Sequence, residues 1–377
     1  MYPDWPESAF DLVPLPHCDG PKLEPFDFQG PQKIEFLEYI GEGAHAHVFK
    51  VRILGQIYAL KLFRFVYDDD WPSPVNKWDS DDRDAFASLA NYAEPFNSEC
   101  RAYGRLREAD CEHLANRCFG YLLLEDANER AMRNQFKDHR IKFNGNILFP
   151  EGMDMRGRFP GKDGRPPPIR GIVKEFGQPE KELSMRTLRR ILKDVIQMQQ
   201  LGIIRLDVAD RQFINGKMAD FSTAITFPHF ITSPELNPHL TPEMVSAMEL
   251  ETLLFSRKDY EEFDQMVGMW NDENPSHQRF FFSLPGGDDG LKYNLRSLPS
   301  RNRLYSLVDP RLYDRKSSGG KLDGRVTKRR RRPCAKPPRW YYDGSLDAAK
   351  VISNMRFEFL HNWYYKDGYA FPKEIKW

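Results

Sequence analysis

The chain has 377 residues, 40% hydrophobic and 29% charged, with a formal net charge of zero; this is enough apolar material for a core, and the length fits two or three domains. Five cysteines, odd in number and without a C-x-x-C pair, argue against a disulfide framework or a zinc site. The opening MYPDWPESAFDLVP has acids and prolines where a signal peptide needs basic and then apolar residues, and no run approaches the length of a membrane span, so a soluble intracellular protein is expected.

The neutral total conceals an asymmetry. Arg296 to Arg339 contains fifteen Lys/Arg against three Asp/Glu, a net +12, and the rest of the chain carries −12. Such a basic arm suits an acidic partner, nucleic acid included.

Six prolines among residues 1–30, with little periodicity, mark an extended leader, assigned to residues 1–25. Ile34 to Ile40, Val48 to Ile53 and Ile57 to Phe63 follow as strands rich in β-branched and aromatic residues, with Gly55 at the last turn. Between the first two strands, Gly41-Glu42-Gly43-Ala44-His45-Ala46-His47-Val48 fits G-x-G-x-x-G-x-V, with Ala46 in place of the third glycine. Glycines there let main-chain N–H groups approach phosphates, because no Cβ shields them. Alone, a G-x-G is more often a hairpin turn. Lys61, in Ala59-Leu60-Lys61, adds an ammonium on the third strand where α- and β-phosphates under such a loop would lie. This order of strand, glycine loop, strand and strand-borne lysine resembles the N-lobe of protein kinases.

Asp68 to Asp84 holds seven aspartates and reads as a solvated, mobile surface loop, within an insert spanning residues 66–95. A helix follows from Asn97, a plausible cap, with Cys100, Tyr103 and Leu106 on one stripe. In the kinase pattern a helix glutamate pairs with the strand lysine, which assigns Glu99 to Lys61; the alternative is a first-turn acid that suits the helix dipole. Arg117 to Leu124 and Gly171 to Phe176 are further strands. The stretch between them, residues 126–168, is too long for a core connection and is read as an insert with helical potential around Glu129 to Phe136. Arg156, Arg158, Lys162, Arg165 and Arg170 make this region basic, as a solvated loop or a docking loop. Lys174 to Gly177, Glu175 included, stands where a kinase hinge offers main-chain groups to adenine.

Thr187 to Gln200 has apolar residues at helical spacing and leads into LGIIRLDVADRQFINGKMADFS. Kinases place H-R-D-x-x-x-x-N after such a helix and then D-F-G. Here Arg205-Leu206-Asp207 stands at the first motif, Gln212 at its asparagine and Asp220-Phe221-Ser222 at the second, with an Asn215-Gly216 turn between two short strands. Asp220 lies between apolar residues, a costly place for an unpaired acid and a sensible one for a Mg²⁺ ligand. The departures at Arg205, Gln212 and Ser222 support nucleotide binding better than phosphoryl transfer. Ser233-Pro234-Glu235 or Thr241-Pro242-Glu243 can stand at A-P-E, and Lys258 to Trp270 is a further amphipathic helix.

Over Phe26 to about Asn271 the strings IEFLEYIGEGAHAHVFKVRILGQIYALKLF, NYAEPFNSECRAYGRL and LGIIRLDVADRQFINGKMADFSTAITFPHFITSPELNPHLTPE make the chain similar to one fungal family, the kinase-like Fta-two-type subunits of the kinetochore Sim-four complex. The resemblance implies an α+β, two-lobed protein-kinase-like fold: an antiparallel-sheet N-lobe over residues 26–176, a mainly helical C-lobe over 177–271 and a basic extension over 272–377. It also implies a nuclear role, with the cytoplasm as the alternative location, among protein partners in a kinetochore or chromatin complex, with no membrane. Carried over residue by residue, it makes Asp207, Lys61 and Glu99 the catalytic set. Gly41, Gly43, Ala46, Val48, Ala59, Lys61 and Glu175 become the ATP contacts, and Asp220 and Gln212 the Mg²⁺ ligands. Two functions stay open, a scaffold with weak or no catalysis and an active ATP-dependent phosphotransferase.

In the extension, residues 317–338 form a linker centred on Lys328 to Arg332, which reads as a nuclear-import signal, a nucleic-acid patch or a solvated linker. Residues 345–364 read as a helix.

Overall fold

The computed structural model describes residues 1–8, 11–67, 71, 83–145, 154–179, 183–237, 240, 242–275, 279, 308–313, 363–366 and 369–372. Strands β1 (Glu35–Glu42), β2 (Ala46–Ile53) and β3 (Gln56–Phe63) are followed by helices α1 (Arg83–Ala93) and α2 (Pro95–Glu108). Then come β4 (Cys118–Leu124), α3 (Asp126–Gln135), the short α4 (Met155–Arg158) and β5 (Ile169–Glu175). The five strands form one antiparallel sheet in the order β1-β2-β3-β5-β4. The second half contains α5 (Met185–Gln200), the two-residue strands β6 (Ile203–Ile204), β7 (Phe213–Ile214), β8 (Lys217–Met218) and β9 (Ile225–Thr226), and α6 (Pro242–Glu273). The fold is α+β, with the antiparallel sheet first and helices later. No helix among the described residues is long and apolar enough to cross a membrane.

Alternation along the strands gives the sheet two different faces. Phe49, Val51, Leu60, Leu62, Leu122 and Val173 point to one side, into a cluster with Met132 and Phe136 of α3. There the Phe36, Phe49 and Phe136 rings meet at centroid distances of 5.4–6.4 Å. The residues between them, Phe63, Tyr121, Leu123 and Ile172, face the other way and pack with Cys100, Tyr103 and Leu106 of α2. Fully burying a side chain of this size contributes about 1.5–3 kcal/mol, so this second face holds α2 against the sheet.

Helix α2 begins three residues earlier than its sequence suggests. Pro95 occupies the first turn, where its missing N–H costs nothing, and Glu94 rather than Asn97 is the cap, its carboxylate accepting from Asn97 N–H at 3.3 Å. The same buried carboxylate pairs with Arg170 at 2.7 Å. Arg170 therefore belongs to the core of β5 and not to a solvated basic loop. The insert after β3 is likewise more than a surface loop, since Phe86, Leu89, Ala90 and Ala93 of α1 are buried; residues 68–70 and 72–82, with most of its aspartates, lie outside the described residues.

The leader is built into the body. Leu15 and Leu23 are buried and pair main chain to main chain, and Tyr121 donates to Val13 O at 2.6 Å. It crosses α2 so closely that a Cβ on Gly104 would come within 2.4 Å of Lys22 O, a contact only glycine tolerates. The helix expected at Lys258 to Trp270 is the last part of one 32-residue helix, α6, that starts at Pro242. The extension does not simply leave the body at residue 271. Val308 is fully buried, and the Arg105 guanidinium sits 3.8 Å from the Tyr313 ring centroid. Trp363 and Tyr364, expected at a helix end, lie in strand β10 (Trp363–Lys366), paired with β11 (Tyr369–Pro372); tandem aromatics favour an extended chain. Residues 345–362 and the basic linker 317–338 lie outside the described residues. Cys18, Cys100, Cys111 and Cys118 are free thiols.

Candidate functional site

The register of the sheet sets the site. Val48, Lys61 and Ile172 stand in one cross-strand row, and Lys50, Ala59 and Lys174 in the next. Residues paired in this way share a face, so Lys61 and Lys174 both project toward α2. Glu99, in the first half of α2, meets them fully buried: Lys61 Nζ lies 2.7 Å from Oε2, and Lys174 Nζ pairs with Oε1. Lys61 also donates to Asp220 Oδ1 at 2.7 Å, and Lys174 to Ala219 O at 2.6 Å. Two ammonium groups and two carboxylates thus form one neutral cluster joining β3, β5, α2 and the segment after β8.

For Lys61 and Asp220, burial opposes the charge and the opposite charges restore it. For Lys61, burial pulls the pKa down, but Asp220 and Glu99 together raise it above the ordinary lysine value. For Asp220, burial pushes upward, and Lys61 with Lys174 holds the carboxyl far below the usual carboxylate range. Ser222 N–H adds a hydrogen bond to Asp220 Oδ1 at 2.9 Å.

The segment from Ile203 to Ser222 is held from beneath by Asp259 of α6. Its buried carboxylate accepts from Arg205 N–H at 3.0 and 3.1 Å, Leu206 N–H at 2.8 Å and the Gln199 amide at 3.1 Å. Burial pushes its pKa up to about 6. Leu206 has φ 64°, a left-handed conformation that costs a residue with a Cβ about 1–2 kcal/mol, and the two backbone bonds to Asp259 keep it there. Arg205 reaches forward, donating to Asp220 O at 3.2 Å with its guanidinium 5.5 Å from the Phe221 ring. Phe221 packs edge-on against Tyr103 of α2 at 5.1 Å.

Asp207 lies at the rim. Arg211 donates to both its oxygens at 2.9 Å, and Gln212 Nε2 to Oδ2 at 2.7 Å. Ala219 N–H donates to Gln212 O at 2.8 Å, which places Gln212 beside the strand that leads to Asp220. Asn215 (φ 51°) and Gly216 (φ 70°) form the tight turn between.

The glycine loop is a short hairpin in which Gly43 N–H donates to Ala46 O at 2.8 Å. Nothing lies within 4 Å of a Cβ built at Gly41 or Gly43, so the main chain there is open to an approaching group. At its tip His45 Nδ1 meets Ser222 Oγ at 2.9 Å, drawing the loop toward Asp220. Ala46 is buried, and Val48 lies beside Lys61. Glu175 is placed differently from a free hinge residue: its N–H donates to Arg117 O at 2.8 Å and its carbonyl accepts from Asn116 at 2.9 Å.

Mg²⁺ prefers hard oxygen donors, typically one or two carboxylates together with phosphate and water. The carboxylate of Asp220, about a third exposed, and the amide oxygen of Gln212 fit that preference. Among the described residues no three His, Cys, Asp or Glu side chains form a metal-binding group. A separate surface cavity of about 380 Å³, lined by Trp5, Glu129, Arg156 and Arg165 among others, contains none of these site residues.

Sequence reasoning missed two members. Lys174, next to last in β5, has a sequence position that points only to its main chain at the hinge; Asp259 sits in a helix with no motif around it. Over residues 12–225, more than half of the chain, the sequence matches the family model described as Kinetochore Sim4 complex subunit FTA2. No curated protein matches the chain. The matched span begins in the leader that packs on α2 and contains Lys61, Glu99, Lys174, Asp207, Gln212 and Asp220. The chain belongs to the FTA2 family of kinetochore Sim4 complex subunits.

Proposed function

We propose that the protein is a kinase-like subunit of a nuclear kinetochore or chromatin assembly, with a cleft that binds ATP and transfers phosphate weakly or not at all. The observation that carries this reading is Lys61, held at 2.7 Å from both Glu99 and Asp220. A strand lysine paired with a helix glutamate, under a glycine hairpin and beside an Asp-Phe dipeptide, is the arrangement by which protein kinases hold nucleotide phosphates. On this reading residues 26–176 and 177–271 are the two lobes, and the open main chain at Gly41 and Gly43 covers the phosphates. Asp220 and Gln212 would hold Mg²⁺, and bound ATP would supply a transferable phosphoryl group. A thermal-shift titration tests the reading, because a ligand that binds only the native state raises its melting midpoint. ATP should raise the midpoint of the wild type and fail to raise that of Lys61→Met; an unmoved wild type would remove the nucleotide from the proposal and leave the scaffold.

The family carries the assembly half of the reading, since it is a family of kinetochore Sim4 complex subunits. Lys328 to Arg332 supplies a nuclear-import signal or a contact for an acidic partner, nucleic acid included. Alanine at these five positions should leave a fluorescent fusion in the cytoplasm; unchanged nuclear signal would return the run to a solvated linker.

A second reading, an active phosphotransferase on protein Ser/Thr or on a small molecule, draws support from one contact. Gln212 reaches Asp207 at 2.7 Å, so the longer side chain still braces the carboxylate that would accept a substrate hydroxyl proton. Arg211, bound to both oxygens of that carboxylate, opposes this role.

A further inference from the structure

The cluster around Glu99 contains one cation more than the usual pairing of a single strand lysine with a helix glutamate requires. Lys174 stands on β5, diagonal to Lys61 on the same face, and neutralises Glu99 through Oε1 while Lys61 takes Oε2. It also grips the main chain just before Asp220 through Ala219 O. Glu99 therefore keeps a counter-charge when Lys61 turns elsewhere. Lys61 in turn compensates Asp220, the carboxylate that would otherwise await a divalent cation, and any metal arriving at Asp220 Oδ1 must displace an ammonium already 2.7 Å away.

We propose that Lys174 is a positioning residue that makes this site a binding site for polyphosphate anions independent of a divalent metal. The proposal rests on the nucleotide reading above and deepens it. Lys174 acts through charge. Lys61 and Lys174 set against Glu99 and Asp220 make the cluster formally neutral before any ligand enters, and the buried Arg205 next to it faces Asp259. With only one lysine the cluster would carry a net negative charge and repel a triphosphate unless a metal ion came with it. A unit charge a few ångströms from a phosphate in a half-buried site changes affinity by about tenfold or more. Lys174 itself need not touch the ligand, since it acts through Glu99 and the backbone at residue 219.

The experiment is a thermal-shift titration of the full chain with ATP, once in EDTA and once in Mg²⁺, for the wild type and a short charge series. The wild type should be stabilised in both conditions. Lys174→Met should bind about tenfold or more weakly in EDTA and recover in Mg²⁺, and Lys174→Arg should restore binding in EDTA. The double variant Glu99→Gln with Lys174→Met, neutral again, should also regain binding in EDTA, and it provides the readout should Lys174→Met alone not fold. Stabilisation of the wild type only in Mg²⁺ overturns the proposal and leaves nucleotide binding standing. Stabilisation in neither condition removes both. A double variant that binds no better in EDTA than Lys174→Met shows that charge is not what Lys174 contributes, and the proposal falls.

Discussion

Glu99 and Asp207 are carboxylates with the same number of side-chain donors on them, yet they stand in opposite surroundings. Glu99 is fully buried, and its donors are lysines from two neighbouring strands. Asp207 lies at the rim, and its donors come from the next turn of its own segment, with Arg211 about two-thirds exposed. The first arrangement is fixed by the register of the sheet and by the packing of α2. The second is local and screened by water, and an exposed pair of this kind is worth about 0–1 kcal/mol. The region that would hold a ligand's phosphates is thus rigidly specified, while the region that would carry out chemistry is loosely specified, which is the distribution a binding subunit needs and an efficient catalyst does not.

The largest expected effect comes from breaking the rigid side. Glu99→Ala leaves two buried ammonium groups sharing one carboxylate, and removing one partner of a buried ion pair typically costs about 3–5 kcal/mol. Chemical denaturation should show a loss of that order, whereas Asp207→Ala should cost less than about 1 kcal/mol. Equal losses at the two positions would mean that burial does not separate them, and the contrast drawn here would fail.

A middle case sharpens the comparison. Asp259 is as buried as Glu99, but its nearest donors are neutral N–H groups, and burial raises its pKa from 3.8 to about 6. The direction of the linkage follows. Below about pH 4 the carboxyl is protonated both folded and unfolded and contributes nothing. As pH rises toward 6 the unfolded chain loses the proton first, so stability falls, and above about 6 the cost is complete. At 1.36 kcal/mol for each pKa unit, the total is on the order of 3 kcal/mol at most. Asp259→Asn keeps an oxygen for Arg205 and Leu206 and cannot ionise. The stability of the wild type relative to this variant should therefore decline between pH 4 and 6. A relative gain with rising pH would mean that the backbone donors outweigh burial and hold the carboxylate ionised.

The legible and illegible parts of the molecule follow the same division between local and long-range causes. β1, β2, β3 and α5 were legible because alternation and helical periodicity are local properties, as was the Asn215-Gly216 turn. Lys61, Glu99 and Asp220 were legible as candidates because their spacing follows a known pattern, although the contacts among them span 38 and 159 positions in the chain. Arg170 looks like a loop cation in the sequence because its neighbours there are prolines, glycines and basic residues; its partner Glu94 lies on another element and gives no local signal. The packing of the extended leader gives no local signal for the same reason, since the fit of Lys22 over Gly104 joins two segments that share no pattern. Gln212 departs from the motif's asparagine, and its side chain, on the short helical turn Asp210–Gln212, donates to Asp207 at 2.7 Å.

The smallest effect on stability bears most directly on function. Arg211 pairs with Asp207 across four residues and is 68% exposed, so Arg211→Ala should change stability by less than about 0.5 kcal/mol. Its effect on chemistry is separable from that. A general base needs an oxygen free to approach the proton it takes, and Arg211 occupies both oxygens of Asp207. If the pair is what suppresses phosphotransfer, Arg211→Ala should gain turnover of ATP in the presence of a hydroxyl acceptor, and Asp207→Asn in the same background should remove the gain. If the rim is simply unsuited to chemistry, Arg211→Ala should remain inactive while its ATP-dependent thermal shift matches that of the wild type. The first outcome moves the protein to the enzyme reading, with a base held in check by a neighbour on its own segment. The second keeps it a binding subunit, in which Asp207 has no reaction to serve and the buried cluster around Glu99 is the part of the site that matters.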